Sequence, residues 1–460
     1  MITLPEKWRQ GEIAVIGLGK SGVAVSRLLA REGLKVYASD AATTDVVREG
    51  ATALGANGVD TDIGRHDLDR IARASLVVAS PGVPPEAPPL ARAREARVPV
   101  VSEIEIALRA LPEAKVIAVT GTNGKTTTTA LVGHLLRAIG LDAIDAGNIG
   151  TPLATVALEG RPPRWIALEL SSFQLHDTPG IAPAVGILTN LAPDHLDRYA
   201  TVEEYYADKK LIFRNARTIS KWVENADDRA AIDLARDAVG MHKRFSLRQA
   251  DADATYDRER DMLVVCGAPV LPRRELNLFG DHNVANALAA SLAVMIADKG
   301  NATPEARARM GDGLRTFHAL KHRLEIAGEA NGVMWINDSK ATNVSSTLVA
   351  IQGMTRPTIL LLGGRHKGEP YRALAEPLRR TGKAVIAYGE AAPIIDQDLG
   401  GVVPLERLGS DFEEVISRAR ALASPGDVVL LSPACSSYDM FKNYEERGAT
   451  FKRLAVGGRQ

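Results

Sequence analysis

Short apolar runs alternate with helix-length amphipathic stretches over almost the whole chain. Ile13–Ile16, Leu34–Ser39 and Leu76–Ala79 read as strands, Gly22–Leu29 and residues 90–97 as helices, and the proline-rich piece 81–89 as a loop. Strand, helix and strand repeated in this order make a parallel α/β arrangement. The same pattern continues past residue 112, with strands at 164–170 and 184–189 and helices at 126–139, 202–213 and Asn283–Ala293. Residues 254–265 read as a small hairpin. Beyond residue 321, strands are predicted at 333–337, 358–362, 384–388 and 427–431, again with helices between them. Three domains are therefore expected, over residues 1–111, 112–320 and 321–460.

Composition changes this picture only by exclusion. Lys+Arg and Asp+Glu balance at 56 each, so bulk charge provides no attraction to nucleic acid or to an acidic membrane. The two cysteines, Cys266 and Cys435, have no metal-ligand spacing and form no disulfide framework. Residues Met1–Lys7 lack the apolar core of a signal peptide, and no apolar run is long enough to span a bilayer. A cytoplasmic setting is expected.

The chemistry concentrates where predicted strands end. Lys115–Thr120 is an apolar strand that runs into Gly121-Thr-Asn-Gly-Lys-Thr-Thr127 and then a helix. Glycines let backbone N–H groups approach a phosphate, and the helix N-terminus favours negative charge. Lys125 can neutralise phosphate oxygens, and a threonine hydroxyl can hold Mg²⁺. The common pattern has a glycine five residues before Gly124, where this chain has Val119; its upstream glycine is Gly121. Gly17-Leu-Gly-Lys-Ser-Gly22 follows the first strand, and Asp40 ends the second, which meets the dinucleotide fingerprint. Taken alone this predicts NAD; any nucleotide diphosphate satisfies it equally. Ser80-Pro81-Gly82 can form the other wall of the same crevice.

Further polar groups lie at other strand ends. Glu169 closes the run Trp165–Leu168 and can ligate Mg²⁺ beside a phosphate loop. His195 lies just past another strand, open to a metal or phosphate role or to a plain loop role. Lys210, on an amphipathic helix, reads as a solvated face. The Arg323 fork can grip phosphate oxygens. Asp338-Ser-Lys-Ala-Thr-Asn343 packs acid, hydroxyl, lysine and amide at one strand end, which packing does not require. Asn283 and Asn286 either read a nucleotide or cap a helix.

Assembled, these residues resemble the Mur ligases, ATP-dependent amide-forming enzymes of peptidoglycan synthesis. Thr120–Thr127 is similar to the ATP loop that the family shares with folylpolyglutamate synthases. Glu169–Leu175, and the pairing of Gly17–Gly22 with Ser80–Gly82, resemble the branch that adds D-glutamate to UDP-N-acetylmuramoyl-L-alanine. Thr189–Arg198, Gly280–Asn286, Asn337–Asn343 and Leu431–Asp439 extend the likeness over essentially the whole chain. The resemblance implies an α/β fold in which the N- and C-terminal domains are Rossmann-like and the central one is P-loop ATPase-like.

It also implies roles. Gly19, Lys20 and Ser21 are expected at the UDP diphosphate, Asp40 near uracil or ribose, and Ser80, Pro81 and Gly82 closing the pocket. Asn148, Ser171 and His195 are expected along the rest of the UDP-sugar. Gly121, Thr122, Asn123, Gly124, Lys125, Thr126, Thr127, Asn283, Asn286, Arg323 and Asp338 are expected around ATP. Two Mg²⁺ ions are implied, held by Thr126 or Thr127, Glu169, His195 and a carbamate on Lys210; Lys209 is adjacent, and only Leu211–Phe213 decides the register. Lys340, Thr342, Lys367, Ser437 and Tyr444 are expected to hold D-glutamate, with tyrosine where the family has phenylalanine at 444. Lys125, Glu169, His195, Lys210 and Arg323 form the catalytic set. The expected partners are small molecules only, with no nucleic acid or membrane, and the protein is expected to be a monomer. The competing readings are a nicotinamide dehydrogenase, a non-catalytic nucleotide-binding protein and a sibling ligase with another amino acid. The first leaves the 121–127 loop unexplained, and intact acid, lysine and histidine positions weigh against the second.

Overall fold

A computed structural model describes residues 2–148, 150–195 and 198–456, so Leu196 and Asp197 of the Thr189–Arg198 segment lie outside the described residues. The strands form three sheets. The first holds β1 (Ile13–Ile16), β2 (Val36–Asp40), β3 (Asp60–Ile63), β4 (Leu76–Ala79) and β5 (Val100–Ser102). It is parallel throughout, in the order β3-β2-β1-β4-β5.

The second sheet holds β6 (Lys115–Thr120), β7 (Ala143–Gly147), β8 (Trp165–Glu169), β9 (Val185–Leu188), β10 (Lys221–Asn225), β11 (Met241–Ser246), β12 (Ala254–Asp257), β13 (Met262–Val265) and β14 (Ala268–Pro272). Its order is β14-β13-β12-β11-β10-β9-β6-β8-β7. The pairings are parallel from β7 through to β12, and β12 with β13 forms the expected antiparallel hairpin.

The third sheet holds β15 (Glu325–Ala330), β16 (Val333–Asn337), β17 (Thr358–Gly363), β18 (Gly382–Tyr388), β19 (Leu405–Arg407) and β20 (Val428–Leu431). Its order is β15-β16-β20-β17-β18-β19, parallel except for the β15–β16 pair.

Several strands escape the sequence pattern because they are polar or edge-like. Asp-Thr-Asp-Ile of β3, Met-His-Lys-Arg-Phe-Ser of β11 and Glu-Ile-Ala-Gly-Glu-Ala of β15 lack an apolar run. The β1, β4 and β20 strands are buried along their whole length and were legible for that reason.

The chain divides into two compact units, residues 1–191, 206–271 and 286–314, and residues 192–205, 272–285 and 315–460. In the first unit, helix Lys20–Arg31 on the first sheet packs against helix Leu153–Leu158 on the second. Arg31 donates to the carbonyls of Leu158 (2.9 Å) and Ala157 (3.0 Å). The segment after β5 adds further ties. Ser102 N–H donates to Asp177 O at 2.6 Å, and its hydroxyl lies 2.7 Å from that of Thr178. Gly180 N–H donates to Glu105 at 2.7 Å, and Ala154 N–H to Glu103 at 3.1 Å. In the second unit, two apolar layers cover the faces of the third sheet. Leu360, Leu362, Val385 and Leu430 lie on one face, and Trp335, Leu361, Ile386 and Phe451 on the other.

Burial pushes the Glu103 carboxyl up to about 7. A carboxyl whose folded pKa lies above its unfolded value carries an extra proton in the folded state between the two, so stability falls as pH rises through that window. Glu103→Gln removes this contribution. The variant is expected to gain melting temperature relative to the parent as pH is raised from about 5 to about 8. Calorimetric curves that stay parallel over this range would refute it.

Candidate active site

In the first sheet the chain leaves β1 towards β2 on one side and later comes back as β4 on the other. The two connections diverge, and a crevice opens at the carboxyl ends of β1 and β4. A cleft of about 560 Å³ lies there, lined by Gly17, Gly19, Lys20, Ser21, Asp40, His66, the 80–84 turn and Ala87–Pro89. Every N-terminal residue expected at the UDP-sugar, from Gly19 to Gly82, lines it. The glycines serve packing as well as ligand approach. Gly17 has φ +93°, and a Cβ on Gly22 would lie 1.8 Å from the carbonyl oxygen of Gly17. Ser80 hydroxyl closes the corner by donating to that same oxygen at 2.9 Å. Asp40 accepts from Leu18 N–H at 2.7 Å and from Ala42 N–H at 2.8 Å, so the fingerprint acid also braces the turn.

The second sheet repeats the arrangement, with β6 flanked by β9 and β8. The phosphate loop leaves β6 into helix Lys125–Ala138, whose cap residue Gly124 has φ +81° and no side-chain cap. Thr189 and Asn190, just past β9, brace the loop from below. Asn190 O accepts from Thr122 N–H (2.9 Å) and its Oδ1 from Asn123 N–H (2.9 Å), while Thr189 hydroxyl donates to Asn123 O (2.6 Å). A Cβ on Gly121 would fall 2.0 Å from the Thr189 hydroxyl, and one on Gly124 would fall 2.5 Å from Asn286 Oδ1. Asn286 also accepts from Thr128 hydroxyl at 3.2 Å, which places it beside the loop. Lys125 Nζ donates to the carbonyls of Gly121 (2.9 Å) and Thr122 (2.6 Å), and Thr126 and Thr127 are buried at the start of the helix.

Glu169 ends β8, next to β6 in register with Val119. It is 2% exposed; Asn148 Nδ2 donates to its Oε1 at 3.0 Å, and its buried Oε2 has no hydrogen-bond partner among the described residues. Gly147 (φ +101°) permits this approach, since a Cβ there would meet Glu169 O at 2.3 Å. An unsatisfied buried carboxylate oxygen beside a phosphate loop fits a hard cation. Among the described residues no group of three or more acidic, histidine or cysteine side chains forms a metal cage. Ser171 caps helix Ser172–His176 by accepting from Gln174 N–H at 3.2 Å.

Lys210 does not reach this place. It is on the exposed side of helix Val202–Lys210, whereas its neighbour Lys209 is 1% exposed and donates to Gly121 O at 2.7 Å. A one-residue step turns a helix by about 100°, so only one of two successive lysines can face the loop. The register expected from Leu211–Phe213 is corrected accordingly.

In the second unit, the ends of β16, β20 and β17 come together, because β20 returns between the other two. Asp338 follows β16; Ser432 hydroxyl donates to it at 2.8 Å and Leu324 N–H at 3.2 Å, and burial pushes its carboxyl up to about 7. Arg323 lies between two left-handed residues, His322 (φ +64°) and Leu324 (φ +43°). Lys340 Nζ stands 5.0 Å above the Tyr444 ring, and Thr342 N–H donates to Lys340 O at 2.9 Å. Arg365 and Ser436 exchange backbone hydrogen bonds of 2.9 and 3.2 Å, so Lys367 and Ser437 follow a paired stretch of the β17 and β20 loops. Asn283 Nδ2 donates to Phe279 O at 2.8 Å, a local turn contact. His195 has φ +57°, and its ring meets Tyr205 edge-on with centroids 5.9 Å apart. Its neighbour Asp194 accepts from Asn343 at 2.8 Å.

Three family profiles match successive stretches: "Mur ligase MurD-like, N-terminal domain" over 11–102, "Mur ligase middle domain" over 119–294 and "Mur ligase, glutamate ligase domain" over 322–435. A UDP-N-acetylmuramoylalanine–D-glutamate ligase of Acidobacterium capsulatum is 39% identical over 453 residues, covering 97% of this chain and 96% of the relative. The chain belongs to the Mur ligase family. A relative of the same name from Chromobacterium violaceum is 42% identical over 450 residues, covering 95% of this chain and 96% of its own. Among solved structures, a UDP-N-acetylmuramate-alanine ligase from Thermotoga maritima superposes with a TM-score of 0.60 at 21% identity, covering 97% of this chain and 99% of that one. A pseudomurein peptide ligase type C from Methanothermus fervidus gives 0.58 at 21%, covering 92% and 96%. These likenesses establish the fold, α/β in three domains. Mur ligases use ATP.

Two residues near these strand ends carry no mark in the sequence of this Mur ligase, one lining the N-terminal cleft and one bracing the third sheet's loops. His66 follows the polar strand β3, and nothing in the local pattern marks it. Arg447 looks like a surface arginine on helix Tyr444–Val456, yet it is completely buried. Its fork donates to Ser339 Oγ (2.9 Å) and O (2.8 Å), to Cys435 O (3.2 Å) and to Ser436 O (3.4 Å), joining the loops after β16 and β20. The adjacent Gly448 is the available cue: a Cβ there would lie 2.1 Å from the His322 ring. Arg447→Lys keeps the charge but cannot span both loops, so unsatisfied buried carbonyls are expected to cost about 2 kcal/mol or more. A melting temperature unchanged from the parent would contradict this.

Proposed function

We propose that this protein joins D-glutamate to UDP-N-acetylmuramoyl-L-alanine, converting ATP to ADP and phosphate, in the cytoplasmic stage of peptidoglycan synthesis. The observation that carries the reading is the 121–127 loop, with Lys125 at its mouth and a buried Glu169 oxygen on the neighbouring strand that has no partner among the described residues, in a chain whose relatives carry that name along nearly their full length.

A carboxylate and an ammonium do not condense in water, because both are charged and hydroxide is a poor leaving group. Transfer of the ATP γ-phosphoryl to the alanyl carboxylate makes an acyl phosphate. The neutral amine of glutamate attacks its carbonyl carbon, and the tetrahedral intermediate expels phosphate to leave the amide. Lys125 and the loop N–H groups offset charge on the transferring phosphoryl, and Arg323 is assigned the same task. Glu169, with the Thr126 or Thr127 hydroxyl and His195, is assigned to Mg²⁺, which when bound supplies further charge neutralisation. Asn283, Asn286 and Asp338 are assigned to the nucleotide, and Asn148, Ser171 and the N-terminal cleft to the UDP-sugar. Lys340, Thr342, Lys367, Ser437 and Tyr444 are assigned to D-glutamate, two of them cations suited to a dianionic substrate. The carbamate expected at Lys210 is reassigned to Lys209 on grounds of burial. The protein acts as a monomer on small molecules, with no nucleic acid or membrane partner; no helix among the described residues is long and apolar enough to cross a membrane.

Phosphate release from ATP is expected to require both the UDP-sugar and D-glutamate; a panel of amino acids in that assay tests the assignment, and equal use of L-alanine or a diamino acid would sink it. Lys125→Ala is expected to lower turnover by about a thousandfold with the fold intact by circular dichroism. Lys209→Ala is expected to lose about a hundredfold or more and Lys210→Ala less than about threefold, by the same electrostatic reasoning. Equal losses at the two lysines would return the assignment to open ground.

A further inference from the structure

The N-terminal cleft contains one titratable side chain with no assigned task. His66 lines it from the end of β3, the strand next to β2 and two places from β1. Neighbouring strands lie about 4.8 Å apart, so the carboxyl ends of β1, β2 and β3 span about 10 Å. Three chemistries are laid out along that line. Lys20 opens an uncapped helix N-terminus after β1, Asp40 presents a carboxylate after β2, and His66 presents an imidazole after β3. Diphosphate, ribose and base follow one another in the same order in a nucleoside diphosphate.

The ring is held by its neighbours. Ser39, completely buried, places its hydroxyl 2.9 Å from His66 Nδ1. Burial holds the imidazole below its ordinary pKa despite Asp40 and Asp62 nearby. Asp62 is itself engaged by Arg65 at 3.1 Å and by the Tyr37 hydroxyl at 3.1 Å. With the Ser39 hydroxyl taken as the donor in this contact, Nδ1 accepts and the neutral ring carries its proton on Nε2. Among the described residues no hydrogen bond engages that second nitrogen. Asp40 already accepts one backbone N–H on each of its oxygens, which leaves each oxygen one lone pair.

We propose that His66 reads the base of the UDP-sugar, its Nε2–H donating to a pyrimidine carbonyl while Ser39 holds the ring. The proposal rests on the reading that this cleft binds UDP. Uracil presents a carbonyl at the 4-position where cytosine presents an amino group, so a fixed donor favours the first and opposes the second.

Titration calorimetry of the full-length protein with UDP and with CDP tests it. The parent is expected to prefer UDP. His66→Phe keeps the ring volume without the donor; it is expected to bind UDP about tenfold more weakly, the size of one good hydrogen bond, and to lose most of the preference over CDP. His66→Gln restores an N–H at a similar reach and is expected to recover part of the preference; it also stands in if the phenylalanine variant does not fold. The KM for ATP and for D-glutamate is expected to stay unchanged in both. A parent that binds neither nucleotide overturns the reading of the cleft itself. A parent that binds UDP and CDP alike, or a His66→Phe protein that keeps the preference, overturns the role of His66 and leaves the cleft reading standing.

Discussion

Where the connections that leave two adjacent parallel strands part to opposite sides, the carboxyl ends of both strands border an open crevice. That constraint organises this molecule. It applies at β1 beside β4, at β6 beside β9, and at β16 beside β20, and the chain puts glycine, hydroxyl or charge at each place. The three sheets differ in size and in their outer strands, yet each offers the same opening at its centre.

What distinguishes the three openings is how each is braced. At the first, Ser80 and Asp40 tie the glycine turn to the neighbouring strands, using a hydroxyl and a carboxylate against main-chain groups. At the second, Thr189 and Asn190 do so with side-chain and main-chain bonds to Thr122 and Asn123, while Lys209 holds Gly121 from another direction. At the third, a buried guanidinium spans two loops with neutral carbonyls and one hydroxyl as its partners. Loops pinned in this way reach a ligand already ordered, which lowers the entropy lost on binding.

The parts legible in the sequence were those whose physics is local. Apolar strands such as Ile13–Ile16 and Val428–Leu431 announce themselves by burial on both faces, and a glycine turn feeding a helix announces an anion site. The parts that were not legible depend on partners distant along the chain. The choice between Lys209 and Lys210 turns on which face of one helix meets Gly121, 88 residues away. Arg447 becomes a core residue only because Ser339, 108 residues earlier, packs over it. His66 follows a strand with a polar sequence that pairs at the edge of its sheet, where burial leaves little trace in the pattern.

The floor of the N-terminal cleft has no room for change. With Gly22 pressed against the Gly17 carbonyl and Gly17 against Ser80, any side chain added at either glycine meets backbone or a packed neighbour. Diversification of ligand choice on this scaffold is thereby channelled to the other side of the cleft, which Ala87, Pro88 and Pro89 line. A lineage seeking a new nucleotide-sugar would keep the turn and rewrite that side.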